Sequence, residues 1–439
     1  MLERLFRLKE NGTAVRTEVL AGLTTFLTMA YIIMVNPTIL ADAGMPMAGA
    51  AAATCLAAAF GSIMMGLFAN YPIALAPGMG LNAYFTYTVV KGMGLPWETA
   101  LGCVFLSGVL FLILTVSGVR RLLVGAVPRS LYAAIAAGIG LFIAFIGLRA
   151  AGLVVASPAT TVTLGDLTTP TAGLTLFGLV LTGALLAWRI RAAMLVGILA
   201  TTALAWAVGA MQWTPVDYSF EALTSTAFRL DIPGALGIGG KGAVLALIEI
   251  IVVLLFVDLF DNVGTLVAVT QRAGLVAPDG TIPRLNRILV ADSAAAIVGS
   301  MAGTTTTVSY IESAAGVAAG GRTGLTAVVV GLLFLVALLF APFAQLIPAA
   351  ATAPALILVG ALMMAPLAQL DWDDPLVSIP GFLTLIAIPL TFSIANGLAF
   401  GIIAYALLKL ARGQARAGDW MLYLLAALFA ARFIWLAAG

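Results

Sequence analysis

Glu249, Asp258, Asp261, Asp292 and Glu312 stand inside apolar stretches long enough to cross a bilayer, and no Lys or Arg lies deep among them, Arg287 near the end of the Asp292 stretch excepted. A charge at bilayer depth costs roughly 3 kcal/mol or more, so such groups tend to mark a path for a proton, an ion or a solute. Without a basic partner they must be protonated, hydrated, cation-bound or hydrogen-bonded to a ligand. Asp258, Asp261 and Thr265 follow i, i+3, i+7 spacing and share one helical face. Glu312 opens a short helix after the β-branched run Thr304–Ile311, and Asn82 falls in the first turns of another short helix. Carboxylates and an amide around one cavity suit a planar, neutral, hydrogen-bonding solute, with Tyr310, Phe256, Phe260, Tyr84 and Phe85 as stacking surfaces. Each residue also has a plainer reading. Glu312 could cap its helix, Asn82 could cross-link helices, Asp292 could pair with Arg287, and the aromatics could be packing alone. Glu249, near the outer end of its stretch, fits structure as well as function.

These residues are carried by a chain of 439 residues, 62% hydrophobic and 9% charged, against about a quarter charged in soluble domains. That composition predicts an all-α polytopic membrane protein. The chain has no His and its two Cys, Cys55 and Cys103, lie in separate apolar segments, so no imidazole relay, metal site or disulfide is expected. Hydropathy gives fourteen segments at about 17–39, 49–69, 77–90, 98–119, 130–149, 171–188, 192–210, 243–265, 285–302, 312–321, 323–345, 349–367, 376–394 and 396–411, with a further apolar stretch at 419–438, an interfacial helix or an added span. The first is too long for a cleaved leader and lacks a small-residue cleavage site. With the N-terminus in the cytoplasm, Arg4, Arg7, Lys9, Arg16, Arg120, Arg121, Arg129, Arg189, Arg191, Arg272, Arg284, Arg287, Arg322, Lys409, Arg412 and Arg416 all fall inside, and only Lys91, Arg149, Arg229 and Lys241 outside.

The third and tenth segments are too short to span as helices. Pro72 and Pro77 interrupt one, and Thr304–Thr307 favours an extended strand in the other. They take matching places in the two halves, and Phe60-Gly61-Ser62 in the second segment resembles Val298-Gly299-Ser300 in the ninth. Pro128 and Pro348 likewise open the fifth and twelfth. Seven spans per half make two inverted repeats, with two short strands pairing near the midplane and a half-helix after each facing a shared cavity. Gly237–Gly242 only faintly resembles a phosphate loop, lacking Ser or Thr after Lys241, and Gly138-Ile139-Gly140 lies in an apolar span, so neither carries a nucleotide.

Four strings in order complete the pattern: Thr24-Thr25-Phe26-Leu27-Thr28-Met29-Ala30-Tyr31 running to Val35-Asn36-Pro37, Ala76-Pro77-Gly78-Met79-Gly80-Leu81-Asn82-Ala83, Val257-Asp258-Leu259-Phe260-Asp261 with Gly264-Thr265, and Glu312-Ser313-Ala314-Ala315-Gly316 through Gly321-Arg322-Thr323-Gly324. Over essentially its whole length the chain resembles the AzgA-like purine permeases of the nucleobase–cation symporter-2 family. The resemblance implies proton-coupled uptake of adenine, guanine or hypoxanthine across the plasma membrane (the inner membrane in bacteria), by a homodimer, with no cofactor and no nucleic-acid partner. It implies a core domain, 17–120 and 243–345, moving elevator-fashion against a gate domain, 121–211 and 346–412, with a cytoplasmic 1–16, an outer loop at 212–242 and a C-terminal segment at 413–439. Glu312 matches the family's base-binding glutamate, Asp258 and Asp261 its acidic positions, and Asn82 its polar residue on the third segment. Thr24 and Thr25 correspond to polar residues of the uracil branch. Tyr310, Phe85 and Phe256 complete the expected binding set, and Glu312, Asp258 and Asp261 are the expected proton carriers. Ser313 stands where the uracil and xanthine branches have Asn, and paired Asp replaces their Glu and His, which favours purines. Sodium coupling stays open, since carboxylates and Thr oxygens also suit that ion. An anion carrier of similar architecture would want a positive site, and an intramembrane enzyme would want a nucleophile–base pair that the sequence lacks.

Overall fold

Small residues dominate the helix Met47–Met64, where Ala, Gly, Ser and Thr let neighbouring backbones approach closely. In the computed structural model, which describes residues 2–118, 129–211, 218–238, 244–276 and 282–438, this helix is α4 and lies against several partners. Before it come α1 (Leu2–Phe6), α2 (Val15–Met29) and α3 (Ile32–Asp42). A π-helical turn, Met65–Ala69, leads to β1 (Leu75–Pro77), α5 (Met79–Ala83) and a second π-helical stretch, Tyr84–Gly92. Then follow α6 (Trp97–Val116), α7 (Arg129–Ala150), β2 (Val154–Ser157), β3 (Thr161–Leu164), α8 (Pro170–Ala187) and α9 (Ala193–Ala207). The short α10 (Phe220–Thr224) and α11 (Ile232–Ala235) precede α12 (Val244–Arg272), α13 (Leu285–Ala302), β4 (Thr307–Ser309), α14 (Ser313–Ala318), α15 (Gly324–Ala337) and α16 (Ala349–Leu362). The chain closes with α17 (Pro375–Leu390), α18 (Ile394–Ala411) and α19 (Trp420–Ala438). Arg120, Arg121, Pro128, Lys241 and the side chain of Phe260 lie outside the described residues.

Among the described residues, nine helices are long and apolar enough to cross a membrane, and 193–207, 375–390 and 420–434 are shorter apolar helices. The chain is therefore a mostly helical, multi-pass membrane protein. Several boundaries differ from the hydropathy reading. The first segment is two helices with a break at Ala30 and Tyr31. The eighth runs on past Thr265 to Arg272, giving a helix of 29 residues, or about 43 Å at 1.5 Å per residue. Against a hydrocarbon core of about 30 Å, Asp258 and Asp261 fall near its middle. The eleventh ends in 3-10 turns at Leu338–Leu346 and the twelfth is followed by another at Ala365–Gln369. The hairpin of β2 and β3, between the fifth and sixth segments, gives no span in the hydropathy reading because its strands are only four residues each, and its side chains are mostly exposed.

Contacts divide the chain into two compact units, Met1–Val116 with Ile146–Leu358, and Ser117–Phe145 with Val359–Gly439. In the first, β1 and β4 pair antiparallel, Leu75 opposite Ser309, Ala76 opposite Val308 and Pro77 opposite Thr307. Both strands are buried, so every backbone group needs a partner away from lipid. Gly78 N–H donates to Thr306 O (2.9 Å) and Tyr310 N–H to Ala74 O (2.9 Å). Beyond the ladder, the Ser62 hydroxyl of α4 accepts from Leu75 N–H (3.0 Å) and donates to Leu75 O (3.2 Å), and the Ser313 hydroxyl accepts from Ala74 N–H (3.0 Å). Pro77 has no N–H to give, and its carbonyl receives the Tyr310 hydroxyl at 2.6 Å. In the second unit α17 packs on α18 and α18 on α19, with the Phe392 ring edge-on to Phe142 at 5.3 Å.

Candidate functional site

The break between α2 and α3 sets Tyr31 where its hydroxyl donates to Glu312 Oε1 at 2.8 Å. Met79 Sδ, at the start of α5, lies 3.7 Å from the same hydroxyl. Glu312 precedes α14 and makes no cap hydrogen bond to that helix, so capping does not account for it. Asp261 is within electrostatic reach of Glu312, and Tyr310 within reach of both. The structure thus gathers Glu312, Asp261, Tyr310 and Tyr31 where α12 packs on α14 and β4. Asp258 and Thr265 are buried on the same helix. Phe85, Phe256 and Tyr84 are buried as well.

The half-helix after Glu312 differs from expectation in one respect. It is six residues long, and Ser313, Ala314 and Ala315 give their N–H groups to Tyr310 O, Ile311 O and Glu312 O at 2.9–3.1 Å. Its first donors are spent on its own turn, and so short a helix has little dipole to offer. Glu312 itself, rather than the helix terminus, is the polar element here. A close approach holds it in place: a Cβ on Gly316 would meet Ala21 O at 2.7 Å and collide with Thr25 Oγ1, so only glycine lets α14 lie on α2.

Asn82 enters a buried network. Its Nδ2 donates to Asn36 Oδ1 and its Oδ1 accepts from the Thr305 hydroxyl. Asn36 Nδ2 reaches Thr54 Oγ1 (2.8 Å) and Thr304 Oγ1 (3.0 Å). The cross-linking reading of Asn82 is therefore realised, tying α3, α4 and α5 to the residues leading into β4. Thr24 is drawn elsewhere, accepting from Arg191 Nη1 at 3.0 Å. Thr25 is buried beside Gly316, and its hydroxyl has no hydrogen-bond partner among the described residues. Asp292 is fully buried and Glu249 half-buried.

Sequence reasoning passed over three residues here. Tyr31 and Asn36 lay within the first quoted string, and the signal was a polar side chain in an apolar run. Glu18, at the edge of the first segment, is a sixth carboxylate and is fully buried. It accepts from the backbone N–H groups of Arg322 (2.9 Å), Thr323 (3.3 Å) and Thr326 (3.2 Å) and from the Thr326 hydroxyl (2.6 Å). That set of bonds to the N-terminus of α15 explains how a carboxylate is buried there.

Residues 16–433 match the model of the Permease family (Xan_ur_permease). The chain belongs to that family. This permease is 44% identical over 438 residues to the adenine permease AdeP of Escherichia coli, covering 100% of this chain and 97% of that one. It is 43% identical over 447 residues to the guanine/hypoxanthine permease PbuG of Bacillus subtilis, covering 99% and 100%. These relatives are permeases, not enzymes, and the family places this chain with them. Among solved structures it resembles the transmembrane domain of a cyanobacterial bicarbonate transporter, BicA, with a TM-score of 0.61 over 89% of this chain and 97% of that one. At 16% identity that likeness is one of fold. The permease therefore combines a transporter fold with a site whose charged groups are acidic.

Proposed function

We propose that this permease carries purine nucleobases (adenine, guanine and hypoxanthine) across the membrane, drawn by a proton gradient. The observation that supports it best is the half-buried Glu312 held by Tyr31 beside Asp261, in a chain whose relatives are named for adenine and for guanine and hypoxanthine. A carboxylate accepts from the ring N–H groups of a base, and the tyrosine fixes which oxygen is offered. Asp258 contributes a second acceptor, and Tyr310, Phe85 and Phe256 flank the ring. Asn82 acts chiefly by holding α5 in place, and Thr25 faces the site as a small polar neighbour.

In this reading a proton neutralises Glu312 or Asp258 and lowers the cost of moving the site through a low-dielectric gate. Asp261 serves coupling more than recognition. Fourteen spans in two inverted repeats, a core moving against a gate, a cytoplasmic N-terminus in the inner membrane and a homodimer belong to the same proposal. The test is uptake of labelled hypoxanthine, guanine, adenine and uracil in cells without their own nucleobase permeases, with and without a protonophore. Purine uptake that the protonophore abolishes is expected, and Glu312→Gln should weaken it roughly 100-fold, as loss of a hydrogen bond to a charged group implies. No purine uptake would overturn the substrate, and uptake that needs sodium but not the proton gradient would overturn the coupling.

A further inference from the structure

Asn262 lies on α12 directly after Asp261 and is fully buried. Neither its Oδ1 nor its Nδ2 meets a hydrogen-bond partner among the described residues. A buried amide left unpaired is costly, about 1–3 kcal/mol for each group, and native proteins keep few of them without a reason. Its direction follows from its neighbours. Leu266, one turn further on the same stripe of the helix, packs in a cluster with Leu75 of β1 and Val317 of α14. Asn262 therefore lies on an inward stripe of α12, the helix that packs on β4 and α14. The hydroxyls of Thr306, Thr307 and Ser309 around β4 are likewise buried and unpaired. The Thr307 hydroxyl lies against Gly299 of α13, and the unmatched amide of Asn262 is carried by α12 beside Asp261.

We infer that Asn262 is a specificity-determining residue of this permease, its carboxamide reading the C6 substituent of the purine and the ring nitrogen beside it. This rests on the purine reading above. A carboxamide offers one donor and one acceptor side by side, the complement of a base edge. Adenine presents an amine donor next to a ring acceptor. A 6-oxopurine presents an oxygen acceptor next to a ring N–H. Half a turn of the amide about its last bond matches either, so one residue serves both classes while rejecting a purine with nothing at C6. A carboxylate at this place would only accept and could not do so.

The experiment compares KM and maximal rate for adenine, hypoxanthine and unsubstituted purine in wild type and Asn262→Leu, with membrane abundance checked by immunoblot and thermal unfolding measured in detergent. Leucine keeps the volume and removes both polar atoms. The expected result is that KM for adenine and hypoxanthine rises at least about tenfold, while that for unsubstituted purine, which offers only the ring nitrogen, rises less. The preference for C6-substituted bases then collapses. The ligand-free protein unfolds at no lower temperature, because an unpaired buried amide has been removed. Should the leucine variant fail to reach the membrane, the preference is read in Asn262→Ala. An unchanged preference in the variant that reaches the membrane overturns the inference, whether KM stays fixed or rises equally for all three, since the amide then holds only water or packing. Wild type that carries no purine at all would instead overturn the purine reading.

Discussion

Tyr31 shows how one side chain can set the character of a site. Its hydroxyl gives Glu312 a neutral donor, so the carboxyl can be protonated or charged without losing its orientation. Tyr31→Phe removes that donor and little else. A hydrogen bond to a charged acceptor is worth about 1.5–3 kcal/mol, so KM for purines should rise about 10- to 150-fold with expression unchanged. Wild-type KM would mean that Glu312 orients itself. Thr24 makes the opposite point. Its partner is Arg191, not the site, so Thr24→Val should leave purine preference untouched, which competition among the bases would reveal.

At the scale of elements, α14 and the turn after it are positioned by two contacts with α2. Gly316 allows the helices to touch, and Glu18 holds the turn into α15 through four hydrogen bonds. Gly316→Ala puts a methyl group against Ala21 O and Thr25 and should cost about 1–3 kcal/mol, the usual penalty of overpacking. Glu18→Ala strands three backbone donors and a hydroxyl and should cost at least about 2 kcal/mol. Thermal unfolding in detergent measures both. Both should also lower the maximal rate more than they raise KM, because they move α14 as a body. A variant as stable as wild type would show that the contact is idle.

At the scale of the whole molecule, acid should loosen the second unit. Asp374 and Asp419 are its ion-pair acids, bonded to Arg412 and Lys409 at 2.8 Å each. The Leu376 N–H first, with the Arg412 guanidinium, holds Asp374 below the ordinary carboxylate range. The Lys409 ammonium first, with the Arg416 backbone N–H, does the same for Asp419. A depressed carboxyl contributes stability above its ordinary value of 3.8 and loses it as pH falls through the folded value. Limited proteolysis from pH 6 to about pH 3 should therefore show cuts within 359–439 appearing below about pH 4. In Asp374→Asn with Asp419→Asn, protection there should change less with pH. Equal pH dependence in the double variant would place the sensitivity elsewhere. The effect is screened by salt, both pairs being near the surface.

The sequence by itself determined the membrane class and the broken third and tenth segments, and it singled out Glu312, Asp258 and Asp261 as candidates, because each departs from what an apolar span tolerates and composition alone exposes the departure. Prolines 72 and 77 and the run of threonines before Tyr310 foretold strands, and the strands pair as the backbone requires. Tertiary structure alone decided which polar groups meet. Tyr31 reaches Glu312 across 281 residues of chain and Asn36 reaches Thr304 across 268, and no local periodicity encodes such a pairing. It also decided which groups stay unpaired. Asn82 and Asn262 are the same residue type in similar apolar runs, yet one is spent on Asn36 and Thr305 while the other meets no partner among the described residues. Hydrogen-bond satisfaction is a property of neighbours in space, and the chain order of residues does not supply it.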